Sequence, residues 1–471
     1  MTTAYQYTTR EMRMVLVAAA LASFLSPFLG SMVNVAIPAI GEAYVATAES
    51  LAMLSTAYLI SSVMFMVPAA RIADILGRKK IFLAGIFLLA VSSILAPFSP
   101  SIEILILCRI IEGVGVAAIT SNSIALLSAV YPPQKRGAVI GYAVSAVFLG
   151  LSAGPVLGGV LTQILGWESI FYFVVVLAVF TFAAIWFSIS HDIRENEGEP
   201  YDYIGTCVYM LLILTLVLGL IDLPKPWAVG LLAVGCVVLL PLFVFVEKRT
   251  QYPVFALRLF SGNRVFTRGN LATVINFGAT YAISFFLSLY LQVAGMLTPM
   301  EAGVVLVAMP FTQMIFSPLA GRISDKIDPR YLTTAGMLLM AGGLTVLLQL
   351  GAVLDLPMLL ATLVLMGFAV ALFASPNNNL ILGSVQRREY GSANSIIGTM
   401  RQMGMVLSMG LATCFISIFL GTTTEMAENL DAFLSAMHLS FACGVVFCLI
   451  AAVLSFSSKP LLTADIQRNT R

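Results

Sequence analysis

Charged residues make up only 10% of this 471-residue sequence, against about a quarter in an average globular chain. A water-soluble protein with so few charges could not cover its surface, so lipid must be the main solvent. Histidine is scarcer still, with two in the whole chain, which leaves little material for a membrane enzyme. The six cysteines all fall in apolar runs without metal-ligand spacing, so they read as small apolar fillers. No Gly-x-x-x-x-Gly-Lys-Ser/Thr run is present, so nothing in the sequence holds ATP as an energy source. The formal net charge of +2 gives no reason to expect a nucleic-acid partner.

What is abundant is apolar length. Hydrophobic residues reach 59% and the mean hydropathy is +0.98. A bilayer core takes about 20 apolar residues per helix. Fourteen segments qualify: 14–37, 51–69, 81–97, 104–127, 138–162, 170–189, 204–221, 227–246, 270–291, 302–320, 331–350, 357–380, 393–419 and 433–457. The first continues too far beyond Arg10 and Arg13 to be a cleaved signal peptide. With the N-terminus inside, 22 of the 25 Lys and Arg residues fall in inner segments. Lys225 alone is outside, while Arg109 and Arg401 lie within spans. The positive-inside rule predicts this asymmetry, and one miscounted helix would scramble it. The expectation is an all-α integral membrane protein with fourteen transmembrane helices and both termini cytoplasmic, in the plasma membrane.

Two short basic loops are alike. AARIADILGRKK (69–80) follows the second span and LAGRISDKIDPR (319–330) follows the tenth. Their placement predicts two pseudo-symmetric six-helix halves, 1–189 and 269–471, with a linker and two inserted helices in 190–268. Internal repeats of this kind mark secondary transporters that rock around a midplane site.

These residues resemble the major facilitator superfamily, and within it the fourteen-helix drug:proton antiporters. In the first loop, Asp74, Gly77, Arg78, Lys79 and Lys80 match the superfamily's loop signature, with Ala70 in place of its leading Gly. RIIEGVGVAA (109–118) is similar to the fourth-helix signature, but has Glu112 where Gln is usual. GLSAGPVLGG (150–159) matches the fifth-helix antiporter signature in full. MVNVAIP (32–38) resembles the end of the first-helix motif, although Leu29 stands where the family has an Asp. RQMG (401–404) is similar to an element of the thirteenth helix.

Gly150, Gly154 and Gly158 recur every four residues, so they form one smooth helix stripe that lets backbones approach in lipid. Pro155 bends that helix, and Gly159 closes the motif. The resemblance implies a hinge between the halves. Asp74 is expected as a gate meeting a helix N-terminus or an arginine of the other half, with Gly77 and Arg78 beside it and Arg322 and Asp325 in the equivalent places. A polar stripe on span 1 (Ser26, Gly30, Asn34) and a mixed aromatic and hydroxyl stripe on span 9 (Asn270, Phe277, Tyr281) are expected along a substrate path. Gly113, Asn377, Arg401 and Gln402 complete that path.

Arg109 and Glu112 are three residues apart, on one helix face. Glu112 is the one carboxylate placed well inside a span, and charges inside membranes mark pathways. The expectation is that Glu112, paired with Arg109, supplies the proton site that position 29 lacks. The leading functional expectation is a monomeric exporter of lipophilic or cationic compounds. It would exchange them for protons, with the gradient as energy source and no cofactor or metal. An anionic or amphipathic solute held by Arg109 and Arg401 is the alternative, and a carrier-fold sensor without transport is another.

Overall fold

The computed structural model describes residues 8–188, 192–194, 197–223, 225–255, 257–324, 326–386, 390–421 and 429–457. Among them there are helices and no strands. In chain order they are α1 Thr9–Tyr44, α2 Ala48–Leu76, α3 Arg78–Leu95, α4 Ile102–Val130, α5 Pro133–Leu165, α6 Glu168–Trp186 and α7 Tyr203–Ile221. Then follow α8 Pro226–Arg249, α9 Arg264–Val293, α10 Pro299–Ser324, α11 Pro329–Leu347, α12 Leu356–Gly383, α13 Tyr390–Phe419 and α14 Leu430–Phe456. Among the described residues, twelve helices are long and apolar enough to cross a membrane. The two other expected spans, 104–127 and 331–350, are the helices α4 and α11. The protein is a multi-pass membrane protein.

Helices dominate because lipid offers no hydrogen-bond partner to an unpaired backbone group. Local side chains close the ends. Thr8 and Glu11 form a reciprocal capping box on α1, and Asn263, Thr298 and Asp355 cap α9, α10 and α12. Hydroxyls inside the helices bond back to the carbonyl one turn earlier. Ser31 donates its Oγ hydrogen to the Pro27 carbonyl at 2.8 Å, next to the bend in α1. Large apolar side chains cover the outside, such as Val237 on α8 at 72% exposure.

Helix partners sort into groups. α1 packs on α4, α5 and α6, and α3 packs on α4 and α6, with α2 against α4. α11 packs on α12 and α14, α10 on α12, and α9 on α13 and α14. Three seams join the groups: α5 with α10, α2 with α13, and α1 with α9. α7 leans on α2 and α13 at a seam, whereas α8 rests on α7. The start of α1 and the loops α2–α3 and α10–α11 share one face with the segment after α8. This basic face carries most of the lysine and arginine.

Candidate functional site

A cavity of about 870 Å³ opens at the basic face, between α2 and α4 on one side and α12 and α13 on the other. Its walls include Met66, Val67, Ile124, Ile396 and Ile397, with the hydroxyl of Thr120 among them. Its mouth is crossed by the chain after α8, from Thr250 to Ser261. The sequence marks that stretch only as basic linker. Its YPVF run (252–255) was the available signal, since apolar residues in a solvated loop need something to cover.

The opposite face is closed by the seams. A Cβ on Gly159 of α5 would lie 2.3 Å from the Pro299 carbonyl oxygen of α10, and one on Gly303 would lie 2.1 Å from the Pro155 carbonyl oxygen. The two helices therefore touch backbone to backbone. Ser288 donates to the Asn34 carbonyl at 2.8 Å, joining α9 to α1, and Asn34 Oδ1 accepts from Ser55 at 2.9 Å. Thr56 and Thr413 share a hydrogen bond of 2.9 Å between α2 and α13. Gln402 donates to Ser62 at 3.1 Å further along the same seam.

Near the middle of α4, Arg109 and Glu112 are 1% and 0% exposed. Arg109 Nη1 donates to Glu112 Oε2 at 2.6 Å, and Ser93 of α3 donates to Glu112 Oε1 at 2.8 Å. The guanidinium also stacks on the Tyr58 ring, 4.2 Å from its centroid, and points Nε at the Leu54 carbonyl, both on α2. Tyr58 in turn donates its hydroxyl hydrogen to the Ser26 carbonyl of α1 at 3.1 Å. Gly113 lets this happen: a Cβ there would lie 2.3 Å from the Tyr58 carbonyl oxygen. The pair thus joins α2, α3 and α4, with Tyr58 extending the chain of contacts to α1.

Arg401 has different surroundings. It lines the deep end of the cavity from α13, half-buried, with no hydrogen bond or ion pair among the described residues. Of the residues expected along a substrate path, Arg401 lines this cavity. Most of the others are engaged between helices. Gly30 lies against the Tyr281 hydroxyl, and Tyr281 marks a break in α9. Phe277 packs at Gly404, and Asn377 donates to the Gly269 carbonyl and to Thr273 at 3.1 and 2.9 Å. Asn270 donates to the Phe266 carbonyl, while its buried Oδ1 has no partner.

The expected gate is built locally. With the cavity open, Asp74 accepts from Arg78 Nε and Nη2, both at 3.0 Å. The first turn of α3 is capped by Asp192, which accepts from the backbone N–H groups of Lys79 and Lys80 at 2.9 and 3.3 Å. Gly77 is required for this: its φ is +123°, and a Cβ would lie 2.3 Å from the Asp192 carboxylate. Sequence reasoning missed Asp192, which arrives from the far end of α6. Arg322 is exposed at the end of α10, and Asp325 lies outside the described residues. In that second loop Arg330 pairs with Asp328 at 2.8 Å. The glycine stripe also has a definite address. Gly150, Gly154 and Gly158 all face α1 of their own group, at Phe24, Ser31 and Met32. Within the motif it is Pro155 and Gly159 that meet α10.

The family model described as Major Facilitator Superfamily matches residues 19–297 and 269–467. Among curated proteins, the chain is similar to the riboflavin transporter RibZ of Clostridioides difficile (strain 630), 26% identical over 94% of this chain and 96% of that protein. It is also similar to the multidrug resistance protein Stp of Mycobacterium tuberculosis, 27% identical over 88% of this chain and 78% of that protein. Among solved structures, it resembles a bacterial homologue of the human lysosomal transporter Spinster in an inward-facing, unoccupied conformation. That match has a TM-score of 0.70 and 16% identity, over 98% of this chain and 99% of that one.

Proposed function

The chain belongs to the major facilitator superfamily, and on that premise we propose that this transporter exports drug-sized lipophilic or amphipathic compounds in exchange for protons, by alternating access. The observation that carries the reading is one open face and one sealed face around a single central axis. The 870 Å³ cavity falls within the size range of small-molecule sites, roughly 300–1,000 Å³. The basic face is the cytoplasmic one, following the lysine and arginine bias. Fourteen crossings then leave both termini in the cytoplasm of a plasma-membrane monomer. The units that rock are 1–189 and 269–471.

Glu112 is the proton site of this proposal. While ionised it holds Arg109 at 2.6 Å. Protonation removes the charge that Arg109 pairs with and frees the guanidinium to leave the Tyr58 ring. Tyr58 bears on the Ser26 carbonyl, next to the bend at Pro27. Proton binding is thereby linked to the position of α1, and α1 forms the seam with α9. Opening that seam would expose Gly30, Asn34 and Tyr281, which places the polar stripes on the path in the outward state. Pro155 and Gly159 act at the α5–α10 seam. Asp74 and Arg78 fix the α2–α3 turn while the face is open.

The test is export in inside-out vesicles under an imposed pH gradient, using a panel of fluorescent lipophilic compounds. Glu112→Gln keeps an acceptor oxygen for Arg109 but cannot release a proton. It is expected to be present in normal amounts and to abolish gradient-driven transport. Transport that persists in this variant would remove Glu112 from the mechanism. Counterflow separates a carrier from a sensor with the same fold, since a sensor gives none.

A further inference from the structure

Among the described residues that line the cavity, two of the three acids are ion-paired and three of the four cations are not. Asp74 is held by Arg78 and Glu199 by Arg71. Glu247 has no ion pair among the described residues; its Oε2 accepts from the Phe255 backbone N–H at 3.2 Å, its Oε1 has no partner, and at 4% exposure it is turned into the protein at the rim. Among the described residues, Lys248 and Arg258 are exposed at the mouth without an ion pair, and Arg401 stands at the deep end without one. It sits eleven residues into α13, about 16 Å from the helix start at 1.5 Å per residue. An unpaired guanidinium at that depth is expensive to keep. The cavity walls mix apolar side chains such as Met66, Ile124 and Ile397 with Thr120, Ser121, Asn378 and Asn394.

From this geometry we infer that the transported compound is an amphipathic anion, whose carboxylate, sulfonate or phosphate group pairs with Arg401 while its apolar body fills the space between Met66, Ile124 and Ile397. Lys248 and Arg258 make the mouth positive, which raises the local concentration of anions. A guanidinium suits such groups because its planar fork binds two oxygens at once. Arg109 has no part in this, because Glu112 and Tyr58 already occupy it. The inference rests on the transport reading and specifies its substrate class.

The experiment is equilibrium binding to the purified full chain in lipid nanodiscs, read by polarisation of pyrene fluorescence. The probes are pyrenebutyrate, its uncharged N-methylamide and pyrenebutyl-trimethylammonium. Wild type is expected to bind the butyrate about tenfold or more tighter than the amide, the equivalent of one charge-assisted hydrogen bond or more. Arg401→Gln is expected to erase that preference and leave the amide unchanged, and Arg401→Lys to retain part of it. Equal binding of butyrate and amide to wild type would overturn the inference. So would tighter binding of the ammonium probe, or a preference that survives Arg401→Gln. No gradient is involved, so the result stands apart from the fate of Glu112 in transport.

Discussion

Arg109 and Arg401 are the two arginines that fall inside the apolar spans drawn from the sequence, and the protein treats them in opposite ways. Arg109 is enclosed by a carboxylate, an aromatic ring and a backbone carbonyl, all within the first group of helices. Arg401 faces a cavity with no partner among the described residues. The first arrangement is complete, so its strength depends on every member staying in place. The second is incomplete, so it has capacity for something that arrives from outside. A buried pair whose partner can be neutralised suits a proton switch, and a cation left open suits a ligand.

The largest expected effect tests that contrast on stability. Arg109→Met strands the Glu112 carboxylate and is expected to cost about 3–5 kcal/mol, the range for breaking a buried pair. Arg401→Met removes an uncompensated charge and should leave thermal unfolding in detergent unchanged or shift it upward. Equal losses from the two variants would break the comparison. Next comes Ser93→Ala, which deprives Glu112 Oε1 of its donor. A hydrogen bond to a charged group is worth about 1.5–3 kcal/mol, and the loss should appear in the same unfolding measurement.

A third variant makes the second region imitate the first. A side chain at Gly398 would meet nothing within 4 Å, and Gly398 lines the cavity three residues before Arg401. Gly398→Asp should therefore pair with Arg401. We expect a gain of up to about 1 kcal/mol, the scale of a helical ion pair at this spacing. Pyrenebutyrate binding should fall toward that of the amide. The smallest effect belongs to the rim. Arg71→Gln breaks the partly exposed contact with Glu199 and should change stability by less than about 1 kcal/mol. That difference should shrink as salt is raised.

The regular parts of the molecule were legible because they depend on nearest neighbours in sequence. Apolar length set the helices, and α1 through α14 fall where the fourteen segments were expected. The spacing of Arg109 and Glu112 put them on one face, and the structure joins them. The glycine stripe of α5 was legible as a close-packing surface, but its partner was not. Helical periodicity gives a face and does not say which helix covers it. For the same reason the sequence placed Asp74 at the end of α2 without reporting that Arg78 and Asp192 fill that corner while the cavity is open. Asp192 reaches Gly77 from over a hundred residues away, and no local pattern reports such a meeting.

By itself the sequence determined that lipid is the solvent, where the helices run, which face is basic and which superfamily the chain belongs to. Each follows from composition, period or motif, and these survive any rearrangement of the helices. Only the tertiary structure decided which arginine is satisfied and which is open. It also decided which seams are shut, and that the chain after α8 borders the cavity. Those outcomes depend on distances between residues far apart in the chain. A charge is compensated only by what folding brings within a few ångströms of it.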